Sequence, residues 1–124
     1  MKKLYFAHPV ADYNTPRERD FLEFLKTAFK GYEIVNPNTP EHENAYREKG
    51  MEHFYEIIKD CQVLVAWAFE DGKLGAGVAG EIECAFNNGI PVYVEIPSLE
   101  PVSRLPEDLV LTVEETRARL RPPG

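Results

Sequence analysis

Cysteine is scarce in this chain: Cys61 and Cys84 are the only two among 124 residues. They form no CxxC pair and have no metal-type spacing, so neither a disulfide scaffold nor a cysteine-held metal organises the fold; two reduced thiols are expected. Long apolar runs are also missing. The longest spans Val63 to Phe69, seven residues, whereas a membrane-spanning helix needs about twenty. No membrane partner is expected. The apolar stretch after Met1-Lys2-Lys3 is too short for a signal peptide and reads as a first strand, which makes a cytoplasmic location the expectation. Positive charge is in deficit, with 14 Lys and Arg against 21 Asp and Glu and a net charge of −7. Such a surface repels polyanions, so a nucleic acid polymer is not expected as a partner. Small nucleoside-type ligands are compatible with it.

What is present is an ordinary globular composition, 44% hydrophobic and 28% charged, long enough for one core. A single domain over 1–124 is expected. Lys3 to Ala7 reads as a strand. Thr15-Pro16 reads as a helix N-cap followed by proline at the first helical position, and Phe21, Leu22, Leu25, Ala28 and Phe29 form one helical stripe over residues 17–30. Tyr32 to Val35 is a short strand, residues 36–44 a loop, and residues 45–60 a helix. Cys61 to Phe69 has the continuous apolar character of a parallel strand buried on both faces. A glycine-rich loop, residues 70–80, leads into a helix that Asn88-Gly89 closes. Pro91 to Ile96 is a further strand, residues 97–108 a proline-rich loop, Leu109 to Val113 a last strand, and residues 114–121 a terminal helix before a frayed Pro-Pro-Gly tail. Strands alternating with helices predict an α/β fold: a doubly wound, flavodoxin- or Rossmann-like three-layer sandwich with a mostly parallel sheet of about five strands. Ligands then bind at the carboxyl edge of the strands, where residues 8–14, 36–44 and 70–80 fall.

The segment Gly75-Ala76-Gly77-Val78-Ala79-Gly80-Glu81 supports two chemical readings. It fits GxGxxG, and Glu95 stands 20 residues beyond Gly75, where a dinucleotide fold keeps a ribose-binding acid. Against that, residues 70–74 separate the strand from the first glycine, and only 44 residues follow Gly80. In the second reading Gly75 and Gly77 let the backbone approach a ligand, and Glu81, early in a helix, stays ionised and attacks the anomeric carbon of a sugar. A glutamate that merely complements the helix dipole has the same spacing. His8, just past the first strand, can contact a base or phosphate or act as an acid near neutral pH. Arg17 and Arg19 open the first helix, within possible reach of a phosphate or as plain surface charges. His42 and His53 show no metal-ligand spacing, and no metal is expected.

Three segments together resemble the nucleoside 2-deoxyribosyltransferase family, including its relatives that hydrolyse deoxynucleoside 5'-monophosphates: Leu4-Tyr5-Phe6-Ala7, Asp60 to Ala68, and Gly77 to Val92 with its G-x-x-x-E-I-x-x-A helix and N-x-G-I-P-V strand entry. The resemblance covers about residues 3–95. It implies that Glu81 is the nucleophile, that the Tyr5 hydroxyl orients it, and that Asp71 holds and protonates the leaving base. Asp71 stands ten residues before Glu81, a wider gap than the family shows. Glu52, eight residues before Asp60, occupies a substrate-contacting position where the family usually has Asp. Glu83 replaces a common glycine and points away from Glu81.

The activity this implies is transfer of 2-deoxyribose from a nucleoside to a free nucleobase, without cofactor, in a homo-oligomer whose subunits complete one another's pockets. The family's C-terminal asparagine has no match here. A 5'-monophosphate N-glycosidase, a non-catalytic nucleotide- or NAD-binding module and an NAD-cleaving domain are the alternatives. Gly75 and Ala76, standing where the hydrolases tend to carry serine, favour nucleosides.

Overall fold

The computed structural model describes residues 1–95 and 98–120. Strand β1 (Lys2–Ala7) buries both of its faces. Leu4 and Phe6 enter one core and Tyr5 and Ala7 the other, as the two-residue period of a strand dictates. β2 (Tyr32–Val35), β3 (Val63–Ala66) and β4 (Val92–Glu95) join it in parallel, and β5 (Leu99–Val102) closes the edge antiparallel to β4. The order is β2-β1-β3-β4-β5. The chain winds outward from β1 in one direction, then crosses back to β3, so the switch point lies between β1 and β3.

Helix α1 (Pro16–Ala28) begins as its N-cap sequence requires, with the Thr15 side chain accepting from the Glu18 amide. Phe21, Leu22, Leu25 and Phe29 cover Leu4, Phe6, Val63, Val65 and Trp67. On the opposite face, α3 (Glu52–Lys59) and α4 (Ala76–Asn87) contribute Ile58, Val78, Ile82 and Ala85 against Tyr5, Leu64, Ala66 and Val94. The result is a doubly wound three-layer α/β sandwich. Side chains the size of Leu4 and Phe6, fully buried here, each contribute about 1.5–3 kcal/mol relative to exposure.

The differences from the sequence reading lie in the connections. Residues 36–44 are not all loop, because Thr39 caps a helix α2 (Pro40–Lys49). The helix expected over residues 45–60 is broken at Gly50, whose φ of +68° is left-handed, so α2 and α3 are separate. The proline-rich segment contains β5, where Pro101 is tolerated because the strand is at the sheet edge. The last strand expected over Leu109–Val113 reduces to a single bridge between Val110 and Leu74; the short helix α5 (Val113–Ala118) then follows with a Thr112–Glu115 capping box. Ile96, Pro97 and the tail from residue 121 lie outside the described residues. Among those described, no helix is long and apolar enough to cross a membrane.

Candidate active site

A cavity of about 570 Å³ opens at the carboxyl edge of β1 and β3, where the switch point predicts it. Its walls come from all three expected loops, from α2 and α3 through Tyr46 and Phe54, from α5 through Thr116, and from Leu120 beyond it.

Glu81 lies on the inner stripe of α4, beside Val78, Ile82 and Ala85, and is only 6% exposed. That stripe packs on the sheet face carrying Tyr5, so the Tyr5 hydroxyl donates to Glu81 Oε2 inside the core. Burial pushes the Glu81 carboxyl up to about 8, against the opposing pull of the Tyr5 hydrogen bond. The expectation of a carboxylate kept ionised by the helix N-terminus is therefore corrected. Glu81 is the sixth residue of α4, past the first turn where the dipole acts, and desolvation dominates. Burial and the neighbouring Glu81 raise the Tyr5 phenol well above its ordinary value, so it remains a donor.

Gly75 is the N-cap of α4 and has no side chain to cap with. The Thr116 hydroxyl from α5 takes that role, accepting from the Ala76 amide at 2.9 Å. Gly75 and Gly77 both line the cavity. A Cβ on Gly77 would meet nothing within 4 Å, whereas one on Gly80 would stand 2.6 Å from the Tyr55 hydroxyl. Gly80 thus sets the close approach of α4 to α3, whereas the third glycine of a dinucleotide fingerprint serves helix–strand packing. The first glycine here also sits nine residues beyond the end of β3, too far for the tight strand-to-helix turn. We expect Gly77→Ala to leave the fold unchanged or stabler by up to about 1 kcal/mol, and Gly80→Ala to fall below it because the Tyr55 hydroxyl must move aside, as read by urea denaturation. Equal midpoints for the two variants would contradict this packing.

His8 lines the cavity but is buried, with Nε2 2.7 Å from Glu18 Oε2 and Nδ1 3.2 Å from the Phe6 carbonyl oxygen. Its ring stacks on Phe6 at 3.8 Å. Burial pulls the imidazole below its ordinary value, and Glu18 only partly offsets this. As a neutral imidazole it carries one N–H, on the Nε2 that faces Glu18, and so is a wall and an anchor for Glu18. Glu18 itself was not singled out from the sequence, although it stands three residues before Phe21 and seven before Leu25, on the apolar stripe. Tyr13, also not anticipated, lines the cavity, and burial raises its phenol.

The remaining expected residues are placed elsewhere. Asp71 forms a two-pronged ion pair with Arg119, at 2.9 and 2.7 Å, and Arg119 stacks on Phe69. The guanidinium holds the Asp71 carboxyl at about 2. Asp71 borders a separate depression with Lys73 and Glu95 and ties the residue after α5 to the β3–α4 loop. Glu52 is exposed on α3, outside the cavity lining, and Glu83 is exposed on α4. Arg17 bonds Asp12 and donates to the Ala68 carbonyl at 2.8 Å, which pins the loop after β1 to the loop after β3; Arg19 is exposed. His42 and His53 meet with Nδ1 and Nε2 3.0 Å apart across α2 and α3. Among the described residues no group of three or more His, Cys, Asp or Glu side chains converges as a metal site.

A buried, protonatable carboxylate beside a phenol, on the floor of a largely apolar cavity, can serve as a desolvated nucleophile or as a general acid. Comparison with protein-family models gives no match to this chain, and comparison with curated proteins gives none either.

Proposed function

We propose that this chain cleaves the N-glycosidic bond of 2'-deoxynucleosides through a covalent 2-deoxyribosyl–Glu81 intermediate and transfers the sugar to a second nucleobase. The observation that carries the reading is the Tyr5–Glu81 pair, buried at the base of the switch-point cavity. The resemblance in the β1 and α4 segments supplies the reaction class.

In the first step a Glu81 oxygen bonds to C1' as the C1'–N bond breaks, and the electron pair leaves with the base nitrogen, which takes a proton from water in the open cavity. In the second, a nitrogen of the incoming base attacks C1', the C1'–O bond breaks and returns the carboxylate, and the incoming base loses its N–H proton to water. Two displacements retain configuration. The reaction requires ionised Glu81. At pH 7 a carboxyl that titrates near 8 is about one-tenth ionised, but positive charge developing on the sugar favours the anion exactly where it is needed. Asp71 is not given the role of acid, because it lies outside the cavity and is bound to Arg119.

The nucleoside is favoured over its 5'-monophosphate because the cavity lining, among the described residues, contains no Lys or Arg. The test is product analysis with deoxynucleosides and their monophosphates, with and without adenine or cytosine, using Glu81→Ala and the exposed-site control Glu83→Ala. The reading requires a new nucleoside whose formation depends on acceptor and on Glu81 but not on Glu83. Free base from monophosphates alone would assign the hydrolase instead.

A further inference from the structure

The loop between β2 and α2 contains a carboxamide whose orientation is fixed. The Asn38 side-chain nitrogen lies 3.1 Å from both Glu18 oxygens and 3.0 Å from Asn14 Oδ1. Glu18 is buried and also accepts from His8 Nε2 at 2.7 Å and the Asn14 amide at 3.1 Å. Burial pushes its carboxyl up, but these hydrogen bonds outweigh that and hold it below the usual range. An ionised Glu18 accepts only, so it must face the NH2 group of Asn38.

The backbone around this contact is equally constrained. Among the described residues Asn14 is the non-glycine residue with positive φ, at +63°, a left-handed conformation that asparagine tolerates; there its amide reaches Glu18 and its side-chain oxygen reaches Asn38. The Asn38 amide is bonded to Asn36 Oδ1 at 2.9 Å, with Pro37 buried between them. With its NH2 committed, Asn38 offers Oδ1 as an acceptor. No protein donor among the described residues reaches that oxygen, and it is not a buried unpaired atom. Asn38 lines the cavity, alongside Pro37, Tyr46, Met51 and Phe54, whose apolar faces suit a planar ring.

We propose that Asn38 is a specificity-determining residue that reads the nucleobase, accepting at Oδ1 a hydrogen bond from an N–H or amino group on the base edge. His8 and Glu18 act as positioning residues that stop the carboxamide from flipping. This rests on the nucleoside reading above and adds its base contact. The locked amide accepts and does not donate, so it favours bases that present a donor over analogues that lack one.

The test is calorimetric binding of adenine against purine without its amino group, and of uracil against N3-methyluracil. Wild type, Asn38→Ala and Glu18→Gln are compared, with thermal melts confirming that each is folded. Wild type should prefer the donor-bearing member of at least one pair by about ten-fold, the worth of one good hydrogen bond. Asn38→Ala should lose that preference without an equal loss for the donor-free analogue. Glu18→Gln can donate to Asn38 Oδ1 and turn the amide over, so its preference should fall or reverse.

Preference unchanged in Asn38→Ala, or all ligands weakened alike, would overturn the role of Asn38 and leave the nucleoside reading standing. No binding of any base or deoxynucleoside to wild type would overturn both. If Asn38→Ala does not fold, the wild-type preference and Glu18→Gln decide.

Discussion

Glu81→Gln is expected to abolish turnover and, in the same molecule, to stabilise the fold in alkali. Glutamine keeps the shape and an oxygen for the Tyr5 hydroxyl but cannot form the glycosyl ester, so turnover should drop by about four orders of magnitude or more. The stability effect follows from burial. Glu81 titrates near 8 in the folded chain against 4.5 for an ordinary glutamate. Between those values the folded state holds a proton that the unfolded state has released, so wild-type stability falls as pH rises from about 4.5 to about 8. The full effect is on the order of 5 kcal/mol, or about 10 °C or more in Tm for a domain of this size. The variant lacks this titration. Its stability should match wild type near pH 4 and exceed it above pH 8. Parallel stability curves across that range would show that Glu81 is not held in a desolvated site.

Tyr5→Phe removes one oxygen from a side chain that is 0% exposed. The hydroxyl donates to Glu81 and is the interaction that favours its charged form. Without it the carboxyl should titrate higher still, and the rising limb of kcat/KM against pH should move to higher pH. At pH 7 turnover should fall by about ten- to a hundred-fold, most of it recoverable in alkali. Loss of a buried hydrogen bond should cost about 1–3 kcal/mol of stability. A stability loss with an unmoved pH profile would make Tyr5 a core residue only.

The alternation of strands and helices, the burial of β3 on both faces and the three loops at the ligand edge were legible because each rests on local patterning. Glu81 could be singled out from its place after the glycines, but its partner could not be found by spacing, since Tyr5 is 76 residues away; family resemblance supplied it. Asp71 was misplaced for a related reason. Sequence puts it in the correct loop but does not say which way a loop side chain turns, and Arg119, 48 residues on, decides that. The ionisation of Glu81 was misread because helix position is visible in sequence and desolvation is not. Glu18 was available in principle, as an acid on an otherwise apolar stripe whose burial implies partners. Its partners, His8 and Asn38, come from different loops and meet only through the parallel pairing of β1 with β2 and the return of α1 across them.

The covalent intermediate is the central claim, and intact-mass analysis tests it most directly. The wild-type protein is mixed with a 2'-deoxynucleoside in the absence of acceptor base, quenched in acid within the first turnover, and digested to locate any adduct. The account predicts one added 2-deoxyribosyl group, on the peptide containing Glu81, absent from Glu81→Gln and lost when acceptor base is added before the quench. Product formation with no adduct at any quench time, or an adduct on another residue, would contradict it.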